Sequence, residues 1–205
     1  MNNIKIIVFD LYNTLIEIKE SNNFFLKLFK TSKNGFGLNV IAYLELIMTR
    51  EIDDVMTILP IEFKELYYKN EVDLEKELDS IVVYKEVFSV LEELKKDFQI
   101  FLISNLASPY KKPVFETNLY TYFDGLFFSC DYGALKPNER IFKEVEKFTG
   151  NTKNEIVMIG DSFKSDVIGA KNIGWKYLKI NRREKLLKEY EISDLSQIKK
   201  QIDVI

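Results

Sequence analysis

Histidine is missing from all 205 residues, and cysteine occurs once, as Cys130. The first absence removes Ser-His-Asp and Cys-His catalysis, imidazole proton shuttling and histidine-ligated metals together. Catalysis, if present, falls to carboxylates, lysine, tyrosine or hydroxyls. A lone cysteine cannot form an internal disulfide and has no neighbouring thiol with which to hold zinc, which fits a reducing, cytoplasmic setting. Proline and glycine are sparse, at 4 and 8 residues, and neither gathers into a linker-like stretch. Disorder or an array of small modules is therefore not indicated. Charge of one sign is lacking too: 29 Lys and Arg against 32 Asp and Glu leave a formal net charge of −3. With no basic stripe interleaved with aromatics, a long nucleic-acid track is excluded. Long apolar runs are absent as well. The N-terminal series Ile4, Ile6, Ile7, Val8 and Phe9 stops at Asp10, too short for a signal peptide or a membrane span. The expected partner is a small molecule, not nucleic acid or membrane.

What is present is ordinary globular material, 46% apolar and 30% charged. Its length suffices for one buried α/β core carrying an inserted subdomain. Short apolar, β-branched or aromatic runs at 4–9, 99–103, 155–159 and 176–180 read as buried parallel strands, with a weaker one at 125–129. Helical patterns at 84–96, 138–148 and 164–173 alternate with them, as right-handed crossovers require. This predicts an α/β fold, a Rossmann-like doubly wound parallel sheet formed by residues 1–15 and 82–205. The interval 16–81 is different, rich in Phe, Leu, Tyr and charge with no period-two strand, and predicts an inserted α-helical cap. Its aromatics Phe24, Phe25, Tyr43 and Phe63 suit the cap's own core. After Arg182 a connector and a final helix are expected, with Ser193 as N-cap before Leu195, Ile198 and Ile202.

The insertion leaves the core at the carboxyl end of the first strand, where open α/β sheets place their ligand crevice. Asp10 stands there, in Phe9-Asp10-Leu11-Tyr12-Asn13-Thr14, a carboxylate able to act as nucleophile or metal ligand. Three later places add to it. Ser104-Asn105 follows the strand at 99–103 and offers a hydroxyl and an amide to an anionic oxygen. Lys136 precedes Pro137, which suits the first turn of the next helix and would fix the lysine; its charge can neutralise a carboxylate and an incoming phosphate. Gly160-Asp161-Ser162 follows the strand at 155–159, with Asp166 one helical turn later, a pair able to serve Mg²⁺ directly and through water.

The order Asp, Ser, Lys, Gly-Asp-x-x-x-x-Asp at successive strand ends resembles the four-motif signature of the haloacid dehalogenase superfamily, over nearly the whole chain outside the cap. The resemblance implies that Asp10 attacks the substrate to form a covalent aspartyl intermediate. It assigns Ser104 and Lys136 to holding the transferring group and Thr14 to supporting the loop. Mg²⁺ would be bound by Asp10, Asp161, the backbone carbonyl of Tyr12 and, less directly, Asp166. The implied activity is hydrolysis of a small phosphorylated metabolite through an aspartyl phosphate.

Tyr12 departs from the pattern. Phosphatases of the superfamily usually carry a second aspartate at that position, as acid for the leaving group and base for water. General acid-base assistance is worth about 10² to 10⁴ in rate, so a phosphatase without it favours good leaving groups or recruits another acid. Tyrosine there is similar to the L-2-haloacid dehalogenases, whose leaving halide needs no proton, and Arg50 is the one arginine between Asp10 and Lys136 that could serve a halide pocket. Dehalogenation and a phosphate-binding protein of little turnover are thus the competing expectations.

Overall fold

The computed structural model describes residues 3–182 and 189–204. The chain opens with strand β1 (Ile6–Phe9) and a short strand β2 (Ile16–Ile18), then five helices: α1 (Phe24–Thr31), α2 (Val40–Met48), α3 (Ile52–Ile58), α4 (Ile61–Lys69) and α5 (Glu71–Asp79). Strand β3 (Ile81–Val83) leads into α6 (Val87–Leu94), β4 (Gln99–Ser104), α7 (Lys112–Glu116), β5 (Gly125–Phe128) and α8 (Ser129–Tyr132). The last part comprises α9 (Glu139–Thr149), β6 (Ile156–Gly160), α10 (Ile168–Ile173), β7 (Lys176–Ile180), β8 (Glu191–Ile192) and α11 (Ile198–Ile202).

Six strands form one parallel sheet in the order β5-β4-β1-β6-β7-β8. The order reverses beside β1, which gives the doubly wound α/β architecture expected from the strand-helix alternation. β1 lies between β4 and β6 in register Ile7↔Ile100 and Ile7↔Val157. Because a strand's side chains alternate between faces, Ile7 and Phe9 enter one apolar layer and Ile6 and Val8 the other. All four are fully buried. That two-sided burial explains the unbroken apolar run in the sequence.

α1 to α5 build a separate apolar cluster around Phe24, Tyr43, Phe63 and Tyr67. Tyr43 and Phe63 sit wholly inside this cap, and the Tyr43 hydroxyl donates to the Phe25 carbonyl at 3.0 Å. The cap stem is a two-stranded antiparallel sheet, with Ile16↔Val83 and Ile18↔Ile81 paired. The expectation of an insertion without strands is corrected here: three residues are too few for a period-two pattern to stand out. β8 was missed for the same reason.

Three local expectations also change. Pro137 is not in the first turn of α9; Asn138 caps that helix, its side chain accepting from the Arg140 N–H at 2.9 Å. Asp194, not Ser193, caps the C-terminal segment by accepting from the Ser196 N–H at 2.8 Å. The helix expected over 164–173 starts as a π turn, Phe163–Val167, before α10. The 183–188 part of the expected connector lies outside the described residues. Among the described residues no helix is long and apolar enough to cross a membrane.

α10 packs closely on α9 at Gly169, where a Cβ would lie 2.3 Å from the Phe142 ring. Overpacking of this kind costs about 1 to 3 kcal/mol. Gly169→Ala is expected to lower the urea midpoint by that amount of stability; an unchanged midpoint would show that the two helices separate freely.

Candidate active site

β1 delivers Asp10 to the middle of the sheet's carboxyl edge. The Asp10 N–H donates to the Ile159 carbonyl at 2.8 Å, so the backbone stays tied to β6 as the strand ends. The chain then folds back tightly, with the Leu15 N–H donating to the Leu11 carbonyl at 2.8 Å. Asn13 takes a positive φ of 60° in this loop, a left-handed conformation that asparagine adopts more readily than most residues. The turn brings the Thr14 hydroxyl back to donate to Asp10 Oδ2 at 3.3 Å.

Ser104 ends β4 on one side of β1. Its Oγ is buried with no hydrogen-bond partner among the described residues. A buried hydroxyl is normally satisfied, so an orphaned one beside a crevice marks a place for a ligand oxygen. Asn105 next to it is engaged: its Nδ2 donates to the Lys136 carbonyl at 2.9 Å and its Oδ1 accepts from the Lys136 N–H at 2.8 Å. The amide grips the lysine backbone instead of facing solvent. Held in this way, Lys136 Nζ donates to Asp10 Oδ1 at 2.6 Å and to the Ile103 carbonyl at 2.9 Å, and lies 2.7 Å from Asp166 Oδ1.

On the other side, β6 ends at Gly160, followed by half-buried Asp161. A Cβ at Gly160 would fall 2.2 Å from Asp166 Oδ2, so glycine is what lets the π turn bring Asp166 against the strand end. Asp166 Oδ2 also accepts from the Ser162 N–H at 2.9 Å. Asp10, Asp161 and Asp166 thereby present oxygens within 4.8 Å of one another.

Three carboxylates around one ammonium leave an excess of negative charge. Burial pushes the Asp10 carboxyl up to about 7; Lys136 opposes the rise, and Asp166 and Asp161 add to it. Asp161 is raised by burial and by Asp166. Burial works against the Lys136 charge, yet Asp10 and Asp166 attract it strongly enough to hold its pKa above the ordinary value. An all-oxygen acidic donor set of this kind suits a hard dication such as Mg²⁺, whose charge would offset the excess.

Tyr12 points away from this cluster. Its hydroxyl donates to the Tyr110 carbonyl at 2.9 Å, and the Tyr110 hydroxyl donates in turn to Glu77 Oε1, on α5, at 3.0 Å. Burial pushes the Tyr12 phenol far above its ordinary pKa, and the charges of Glu77 and Asp10 push it further. It is no base near neutrality. Tyr12 and Asn105 border a cavity of about 320 Å³ that runs under the cap past Phe24, Phe25 and Met48. Arg50 is not on its walls. That residue is exposed and lies in a groove with Cys130, Asp131 and Arg140.

Sequence reasoning missed four supporting residues. Arg182, just past β7, stacks on the Tyr84 ring at 3.7 Å and donates to the Thr14 carbonyl at 2.7 Å and to Glu86 at 2.6 Å. Its place at a strand end was a usable signal. Lys111 joins Glu51 of the cap to Asp131 of the core. Tyr110 and Glu77 meet only in the folded chain.

Removing the lysine should reveal how much the cluster depends on it. Lys136→Met, in the presence of a chelator, is expected to lower stability by about 3 to 5 kcal/mol, since two buried carboxylates lose their partner. Urea denaturation measures it, and a loss below 1 kcal/mol would mean that water already screens these acids.

A family model described as haloacid dehalogenase-like hydrolase matches residues 4–174. A glyceraldehyde 3-phosphate phosphatase from Pyrococcus furiosus is 27% identical over 97% of this chain and 92% of its own. Among solved structures, a HAD phosphatase from Thermococcus onnurineus superposes with a TM-score of 0.66 at 23% identity, covering 96% of this chain and 97% of that one. A 2-haloacid dehalogenase from Pseudomonas syringae gives 0.70 at 21%, covering 98% and 99%. The two structures share the fold.

Proposed function

We propose that this chain, which belongs to the haloacid dehalogenase-like hydrolase family, is a Mg²⁺-dependent phosphatase acting on a small phosphorylated metabolite through an aspartyl-phosphate intermediate. The observation that carries this reading is the pairing of Asp10 and Asp166 with buried Lys136, with Asp161 presenting an oxygen within 4.8 Å of theirs. Asp10 is the nucleophile. Lys136 and Ser104 hold the transferring phosphoryl group, the first by charge and the second through its unpartnered Oγ. Asp10, Asp161 and the Tyr12 carbonyl hold the metal, with Asp166 acting from behind, since its oxygens already meet Lys136 and the Ser162 N–H. Bound Mg²⁺ supplies charge neutralisation, which lets a carboxylate and a phosphate, two anions, approach.

Two residues take narrower parts than their motif positions imply. Asn105 positions Lys136 through the paired hydrogen bonds to its backbone and does not bind substrate directly. Thr14 orients Asp10 and is itself braced by Arg182. A similar full-length relative named as a phosphatase supports the reaction class. The cytoplasm suits a chain with one unpaired cysteine.

Dehalogenation of a haloacid draws support from Tyr12. It would place a substrate carboxylate in the cavity, and among the described residues neither Arg50 nor any other arginine or lysine lines those walls. Phosphate release and halide release, each with and without Mg²⁺, separate the readings for the native chain, Asp10→Asn and Tyr12→Asp. Phosphate release that needs Mg²⁺, falls at least about 10³-fold in Asp10→Asn and rises in Tyr12→Asp is expected. Metal-independent halide release would replace the phosphatase reading with the dehalogenase one. No release of either product by the native chain would favour a binding role.

A further inference from the structure

We propose that the ester cleaved at Asp10 carries an uncharged aromatic leaving group, which departs as its aryloxide anion. This inference rests on the phosphatase reading and adds the substrate class to it.

The cavity beside the nucleophile loop supplies the first observation. Among the described residues no lysine or arginine lines it, and the chain has no histidine. A leaving group with a second phosphate or a carboxylate would find no counter-charge there. It would instead meet Glu77, which is buried on the same wall. Phe24, Phe25 and Tyr110 provide aromatic faces and edges, with Phe25 and Tyr110 centroids 6.1 Å apart at 51°. A flat ring fits such walls by offset or edge-to-face contact.

The second observation is where the protons go. Three ionisable side chains border the cavity: Tyr12, Tyr110 and Glu77. The Tyr12 proton is directed at the Tyr110 carbonyl, and the Tyr110 proton at Glu77. Glu77 gathers donors on both oxygens: the Tyr110 hydroxyl at 3.0 Å and the Ser21 hydroxyl at 3.5 Å on Oε1, and the N–H groups of Asn22 at 3.0 Å and Phe24 at 3.4 Å on Oε2. That is the pattern of an acceptor-only carboxylate. Glu77 is thus engaged within the wall and directs no donor into the cavity. The acids Asp10, Asp161 and Asp166 do not line the cavity.

An ester oxygen lying toward this cavity leaves without a proton. One Asp10 oxygen bonds to phosphorus as the phosphorus–oxygen bond to the leaving group breaks, and the electron pair departs on that oxygen. An aryloxide carries the charge over its ring and takes a proton from solvent afterwards. An alkoxide cannot, and forgoes the roughly 10² to 10⁴ that a general acid contributes. Water then attacks the phosphoaspartate, its proton passing to solvent, and phosphate is released with Asp10 restored. With no base on that side either, the second step is slow relative to aryloxide release. The preference is therefore read in kcat/KM, which reports the first step.

Four esters of similar size test the proposal on the native chain with Mg²⁺: 4-nitrophenyl, phenyl, benzyl and 4-carboxyphenyl phosphate. The expected kcat/KM falls from 4-nitrophenyl to phenyl, and by at least about 100-fold from phenyl to benzyl, the size of the missing acid. 4-Carboxyphenyl phosphate is expected at least about tenfold below phenyl, because its charge meets Glu77, although its phenol is the better leaving group. Tyr12→Asp should shrink the phenyl-to-benzyl ratio. Asp10-dependent release that ignores the leaving group, or that is confined to esters of alkyl alcohols, overturns this inference alone. Phosphate release that is equal in the native chain and Asp10→Asn overturns the phosphatase reading beneath it.

Discussion

The site depends on one buried ammonium. Lys136 reaches two carboxylates and a backbone carbonyl from a loop that has no regular structure of its own. Its backbone is held by Asn105, so the segment after β4 and the segment before α9 are locked to each other. Through Asp10 the lock extends to β1, and through Asp166 to the π turn after β6. Three strand ends of the central sheet thus converge on a single charge. A buried cluster of this kind costs desolvation energy and is weak evidence for stability by itself. Its value is geometric, since it fixes the Asp10 carboxylate, the Ser104 hydroxyl and a pair of acids in one crevice.

The cluster is also unbalanced by design of its residues. One positive charge lies among three carboxyls, and Asp10 and Asp161 are raised first by burial and then by their acidic neighbours. A dication would offset that excess and so ease the approach of an anionic phosphoryl group. The cap contributes from the other side. Met48 and Ile52 are joined by their backbones to Ser129 and Ser108 of the core at 2.6 and 2.9 Å, and Lys111 adds an ion-pair bridge. These contacts close the cap over Tyr12, so the tyrosine that replaces an acid becomes part of a cavity wall. Cap helices and the loops after β1 and β4 thus wall that cavity together.

Much of this was readable from residue order. Buried parallel strands are continuous apolar runs, and Ile6–Phe9 and Ile156–Gly160 announced themselves in that way. Candidate residues at the ends of such strands follow as soon as the sheet is recognised, which is how Asp10, Ser104 and Asp161 were singled out. Lys136 was legible only in company, as one member of an ordered set. What escaped were features that depend on distant contacts or on very few residues. Strands β2, β3 and β8 span two or three residues each, below the length at which a period can be seen. The Asn105 amide looked free because its partner lies 31 residues away. Where the Tyr12 hydroxyl goes, to the Tyr110 carbonyl 98 residues on, was likewise invisible in the sequence. Arg50 is a reminder that the one arginine in an interval need not face the site.

The central claim is that Asp10 is the atom-bearing nucleophile of a phosphoryl transfer, held ready by Lys136. Borohydride reduction during turnover of a phosphate ester, followed by peptide mapping, addresses it directly, because an acyl phosphate is reduced to the alcohol while a free carboxylate is not. The account predicts conversion of the residue 10 carboxyl to an alcohol, dependent on both Mg²⁺ and substrate and unseen at Asp161 and Asp166. Reduction at another aspartate, or phosphate release with residue 10 left unmodified under trapping, would contradict it.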